Sequence, residues 1–108
     1  MIERLYAFTQ SDTKIIEKII EDDYAAINHM VLAKSDALPE HYSNSNVYLI
    51  VVRGTITTGF DEQEKHFYTA GTILTIPYQT KMSISNQDDP VAELFVVKAP
   101  SPRIINKK

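Results

Sequence analysis

Cysteine is absent from this chain. That absence excludes a disulfide framework, a thiolate-ligated zinc, an iron–sulfur cluster and a thiol nucleophile. Glycine occurs only three times in 108 residues, so a glycine-rich phosphate cradle is excluded too, and no serine sits in a nucleophile elbow. Long apolar runs are missing. The longest beside a strand, Val47 to Val52, is far too short to span a bilayer. The start, Met1-Ile2-Glu3-Arg4, is charged with no apolar run behind it, so no signal peptide is expected. A net charge of −3 gives no electrostatic footprint for nucleic acid. The three cations of the stretch Arg103 to Lys108 read as a solvated terminus. The expectation is a cytoplasmic protein with neither nucleic acid nor membrane as partner.

The length fits one domain, 1–108, large enough to bury a core without covalent staples. Strand signals dominate from residue 24. Tyr24 to Ala33 is apolar-rich, with β-branched residues and few breakers, and Lys34-Ser35-Asp36 reads as a turn. Leu38 to His41 is extended, because the residue before a proline is pushed out of the α region. Val47 to Val52 is apolar on both faces, which calls for burial on both sides, as in a sandwich or a subunit interface. Thr55 to Phe60 reads as its hairpin partner, with Asp61 to Glu64 as a hairpin tip. Ile73 to Ile76, Lys81 to Ser85 and Ala92 to Lys98 complete the set, and Pro100 and Pro102 end it. Six or more short strands with regular turns predict an all-β sandwich or barrel, its core over 24–99, with an N-terminal extension 1–23 and a tail 100–108. Thr13 to Asp22 fits two readings. Ile15, Ile16, Ile19 and Ile20 have helical spacing, yet isoleucine is strand material.

Two frames within this pattern carry a resemblance. Ser35 is followed after five residues by His41-Tyr42-Ser43, after three more by Val47, and after six more by Gly54. Gly71 is followed after five residues by Pro77-Tyr78-Gln79, after two more by Met82, and after three more by Asn86. Both spacings resemble, without a gap, the paired motifs of the small single-domain cupins. The resemblance covers roughly residues 24 to 99 and implies a jelly-roll β-barrel, the double-stranded β-helix.

The same resemblance implies where a metal would be held, by three histidines and a glutamate facing into the barrel. His41 stands at the first of those positions. Ser43 and Met82 stand for histidines and Val47 for the glutamate. Hydroxyl, thioether and isopropyl groups do not make a tight site for a divalent ion, so neither a standard metal site nor another cofactor is expected. A displaced site would need His29 to turn inward beside His41. The alternative for His29 is a hydrogen-bonded, partly buried imidazole, and the turn at Lys34 to Asp36 leaves its facing open. His66, beside Lys65 and a charged tip, is expected to face solvent.

With His41 inward, the barrel pocket is expected to contain His41, Ser43, Val47, Leu49, Tyr78 and Met82. Such an apolar cavity with one imidazole and a few hydroxyls suits a small organic molecule. Tyr42 and Tyr48 have the opposite parity and are expected outside, at an interface. The stretch Ser43 to Asn46 reads as a turn, its other reading being hydrogen-bond donation at the rim. Asp22-Asp23, Asp61-Glu62-Glu64 and Asp88-Asp89 cluster at turns and read as solvated faces. The leading expectation is a metal-independent cupin that binds a small molecule. The rivals are an isomerase or lyase with His41 as general base, a metalloprotein with a His29/His41 site, and an interaction module with a filled barrel. A homodimer is expected from the two-sided apolar strand, with Leu5 to Phe8 adding to the partner.

Overall fold

The isoleucine-rich segment that fitted helix or strand is a strand, β1 (Ile15–Glu21). Its register explains the ambiguity. β1 pairs antiparallel with β2 (Ala26–Ala33), and a shift between Lys18 and Ile20 interrupts the alternation. That extra residue moves the apolar positions from a period of two toward helical spacing. The turn between the strands is held by Asp22, whose carboxylate accepts the amides of Tyr24 and Ala25 at 2.9 and 3.0 Å.

The computed structural model describes residues 1–105. Beyond β2 the chain forms β3 (His41–Tyr42), β4 (Val47–Arg53), β5 (Thr55–Phe60), β6 (His66–Thr69), β7 (Thr72–Ile76), β8 (Lys81–Ser85), β9 (Val91–Lys98) and one helical turn, α1 (Pro102–Ile105). One sheet has the order β1-β2-β9-β4-β7 and the other β3-β8-β5-β6. The pairings are antiparallel. Leu32, Leu49, Leu94 and Ile56 lie fully buried between the sheets, with Val47, Val51, Met82, Ile84 and Val96 around them. Each such side chain contributes about 1.5–3 kcal/mol on burial.

One expected pairing is corrected. β5 is not the hairpin partner of β4. β4 pairs with β7 and β9, whereas β5 pairs with β6 and β8 in the other sheet. The chain changes sheets at Gly54, which has a φ of 72°. A β-carbon there would lie 2.2 Å from the carbonyl oxygen of Val91. Both the conformation and the close approach therefore require glycine.

The two frames meet in space. The Ser35 amide donates to the Asn86 carbonyl at 2.8 Å, and the Asn86 amide donates to the Asp36 carbonyl at 2.9 Å. The buried Asn86 side chain donates to the carbonyls of Leu32 and Asp89 and so pins the β8–β9 turn beside β2. Ser35 and Gln79 keep φ values of 75° and 65° without being glycine.

Within this chain β4 buries one face, not the two that its double apolar character calls for. Val47, Leu49 and Val51 are buried between the sheets, while Tyr48 and Val52 face outward with 39% and 46% exposure. Tyr42 is also exposed. Residues 1–14 form an arm without regular structure, and Phe8 rests edge-on against Phe95 with ring centroids 4.9 Å apart. Arg103 of α1 pairs with Asp23 at 2.8 Å. Lys107 and Lys108 of the expected solvated terminus lie outside the described residues.

Candidate functional site

The inward rows of β2, β4, β8 and β9 and the short β3 enclose a cavity of about 40 Å³ at one end of the barrel. Its wall is apolar: Met30, Val47, Met82, Ile84 and Val96, with Leu38. The polar groups around it are Asn28, His41, Ser43 and Lys98. His41 and Met82 are cross-strand neighbours on β3 and β8. The cavity thus brings His41, Ser43, Val47 and Met82 together.

Two expected pocket residues lie elsewhere. Leu49 faces inward but is packed into the core, beyond the cavity. Tyr78 follows Pro77 in the β7–β8 turn and is 43% exposed, with its amide aimed at Asn46 Oδ1 at 3.3 Å. Tyr78 lies in a turn, where the alternation of a strand does not set which way a side chain faces.

The buried Ser43 hydroxyl holds that turn. It donates to the Pro77 carbonyl at 2.6 Å and accepts the Thr80 amide at 2.8 Å. Asn46 accepts the Ala99 amide through its carbonyl, so the Ser43 to Asn46 stretch also ties down the final strand. His41 is exposed at the cavity end. Its Nδ1 lies 2.9 Å from the Pro39 carbonyl, which can only accept. Nδ1 therefore carries the proton in the neutral ring, and Nε2 is left with its lone pair.

Asn28 and Lys98 were missed as site residues. The available signal was parity. Lys98 continues the inward row Ala92, Leu94, Val96, and Asn28 stands two residues before inward Met30. Burial pushes the Lys98 ammonium below its ordinary value, with repulsion from Lys18 adding to the shift and Glu21 opposing it.

His29 lies on the outer face of the five-stranded sheet, on the row of Val31 and opposite in parity to Met30. It cannot join His41 around one ion, and the expectation of a His29/His41 site is corrected on that ground. Among the described residues no three His, Asp or Glu side chains converge as ligands. At the cupin ligand positions, the Ser43 hydroxyl is engaged with backbone, and Val47 and Met82 offer an alkyl group and a weakly ligating thioether. This residue set does not fit the family's metal.

What surrounds His29 is a chain of charges. The ring is fully buried, with Nδ1 2.7 Å from Glu17 and Nε2 2.6 Å from Glu93. It forms a triangle of rings with Phe8 and Phe95, at centroid distances of 4.8 and 4.9 Å. Glu17 accepts the Thr9 amide at 2.8 Å and the Thr9 hydroxyl at 3.0 Å. These contacts hold its carboxyl below its usual value, the Thr9 amide contributing most and His29 next. Arg53 donates to Glu93 at 3.0 Å, to Asp12 at 2.6 Å and to the Ser11 carbonyl at 2.6 Å. Its guanidinium is pushed up, by Asp12 first. Beside this cluster, Phe8, Asp12, Val52 and Phe95 border an open groove of about 660 Å³.

His66 is half-buried rather than solvent-facing. Its Nδ1 is 3.3 Å from the Tyr68 hydroxyl, and Tyr68 packs on the core. Asp61 accepts the Lys81 amide at 2.9 Å and acts as a turn residue.

The antiparallel double sheet closing over one end cavity defines a cupin-type barrel. An uncharacterised protein of Methanocaldococcus jannaschii is 42% identical over 107 residues, covering 98% of this chain and 92% of its own length. A crystal structure from that organism, described as an RmlC-like cupin family protein with a double-stranded β-helix fold, superimposes with a TM-score of 0.95 at 42% identity, covering 99% of each chain. A cupin superfamily protein from Desulfitobacterium hafniense gives a TM-score of 0.72 at 13% identity, covering 86% of this chain and 83% of that one. The cupin domain of Schizosaccharomyces pombe Cnp3 gives 0.70 at 14% identity, covering 80% of this chain and 60% of that one. No family model matches the sequence. This chain belongs to the RmlC-like cupin family. Among the described residues no helix is long and apolar enough to cross a membrane.

Proposed function

We propose that this cupin binds a small organic molecule in the end of its barrel without a metal. The observation that carries the reading is the cavity itself, apolar-walled and edged by Asn28, His41 and Lys98. Its size limits the ligand. A water needs roughly 10–15 Å³ measured this way, and the cavity of about 40 Å³ corresponds to about three. That space suits a ligand of a few non-hydrogen atoms, or the end of a larger one. The test is a screen of two- to four-carbon acids, amides and alcohols against the ¹⁵N-labelled protein. Saturable amide shifts at Met82 and Val96 are expected. Shifts confined to the outer face of the five-stranded sheet would overturn the reading.

A second reading is favoured by the fixed tautomer of His41. With Nδ1–H bound to the Pro39 carbonyl, neutral Nε2 is free to take a proton from a ligand, the role of a general base in an isomerase or lyase. Solvent-deuterium exchange at a ligand C–H, lost in His41→Ala, is its signature.

We also propose a homodimer, and the lack of cysteine fits a cytoplasmic one. Tyr48, Val52 and Ile73 project from the outer face of the five-stranded sheet, Ile73 66% exposed, while Leu5 of the arm is 87% exposed. A neighbouring apolar arm and apolar sheet face can cover each other in a two-fold pair. Sedimentation is expected to give a dimer, and Val52→Asp a monomer. A monomeric parent protein at micromolar concentration would overturn this.

A further inference from the structure

We infer that Lys98 makes the barrel-end cavity a site for a small carboxylate of two or three carbons. This rests on the reading that the cavity binds a ligand, and it specifies the ligand's chemistry.

Lys98 closes β9, a strand paired on both sides, with Ala26 of β2 and Val47 of β4 as its cross-strand neighbours. Its place on the inward row puts a cation where Ala92, Leu94 and Val96 bury apolar groups. The residue is half-buried. Among the described residues no carboxylate comes within ion-pair distance of its ammonium. No carboxylate lines the cavity either. The charged neighbours come from β1: Lys18, which repels it, and Glu21, which attracts it from beyond pairing distance. A half-buried ammonium without a counter-charge is costly, and an anion in the cavity supplies one.

The remaining polar groups fit the same ligand. The Asn28 side chain makes no hydrogen bond with the described residues, which leaves its N–H groups for a second carboxylate oxygen. Ser43 is engaged with the turn and is not available. The apolar wall of Met30, Val47, Met82 and Val96 receives a methyl or methylene. The cavity of about 40 Å³ excludes anything much longer. A carboxylate with a short hydrocarbon end meets all three conditions, whereas a phosphate would press a heavily hydrated dianion against alkyl groups.

The test uses ¹⁵N-labelled full-length protein titrated with acetate and propionate, and in parallel with acetamide and propionamide. The carboxylates are expected to shift the amides of Asn28, Met82 and Val96 saturably, and the neutral isosteres to bind at least tenfold more weakly. Lys98→Met is expected to weaken carboxylate binding tenfold or more and to abolish the preference for acid over amide, with Lys98→Gln as a second variant should the first unfold. Equal affinity for acid and amide, or an unchanged Lys98→Met, overturns the carboxylate site while the cavity reading stands. Shifts limited to Lys98 and Lys18 and reproduced by chloride also overturn it. No response at the cavity amides to any of the four compounds removes the cavity reading and this inference together.

Discussion

The Nε2 atom of His29 lies 2.6 Å from a carboxylate oxygen of Glu93, 64 residues further along the chain. Its Nδ1 lies 2.7 Å from Glu17. Carboxylates only accept, so both contacts are hydrogen bonds when the ring carries both its protons. The ring ties β1, β2 and β9 together beneath Phe8 of the arm. His29→Ala is expected to cost about 2–3 kcal/mol, since it takes a hydrogen bond from each of two partly buried carboxylates and empties a fully buried ring site. Urea unfolding of the variant beside the parent checks this. A loss below about 0.5 kcal/mol, the range of surface changes, would show that the cluster is not structural.

Glu17 predicts an acid limit for the arm. Its carboxyl is held low by the Thr9 amide first and His29 second. A carboxyl lowered in the folded state contributes stability above its ordinary value, and that contribution is lost as the pH falls through the lowered one. The Thr9 amide is therefore expected to keep its docked chemical shift through the ordinary glutamate range and to lose it only at more acid pH. In Glu17→Gln this pH step should vanish. A step at the unperturbed glutamate value in the parent would contradict the assignment.

Ser35 and Gln79 occupy the left-handed region, at two positions that the cupin frames give to glycine. Both side chains are exposed and neither makes a hydrogen bond among the described residues. A non-glycine residue there costs roughly 1–2 kcal/mol, and the entropy of an added glycine returns roughly 0.5–1. Gln79→Gly and Ser35→Gly should each stabilise by about 0.5–1 kcal/mol. Thermal unfolding is the measurement, and a lower Tm in both would rule out the strain.

His41 and Ser43, two residues apart, should behave oppositely. His41 is exposed with one hydrogen bond, so His41→Ala is expected to cost about 1 kcal/mol or less. Ser43 is buried, and its hydroxyl serves Pro77 and Thr80 at once. Ser43→Ala leaves the Thr80 amide without its acceptor and the Pro77 carbonyl with the Thr80 hydroxyl alone, at about 1–3 kcal/mol. If denaturation showed the larger loss at His41, the division into a cavity residue and a turn-holding residue would fail.

The local pattern determined what depends on local chemistry. The strand-forming segments, the turn at Lys34 to Asp36 and the two frames around His41 and Pro77 are written in residue type and spacing, and they marked the double sheet and the place of His41, Ser43, Val47 and Met82. The tertiary structure decided what depends on partners distant in sequence. Adjacency along the chain made β5 the natural hairpin partner of β4, but Gly54 carries the chain across to the other sheet. His29 could be read inward or outward because parity across a turn is lost. Its facing was settled only when β1 and β9 brought Glu17 and Glu93 to either side of the ring. Lys98 reads as an ordinary strand-end cation until its neighbours Ala26 and Val47 place it on the inward row. Residue type fixes which groups a strand can bury, but the pairing of strands fixes which groups meet.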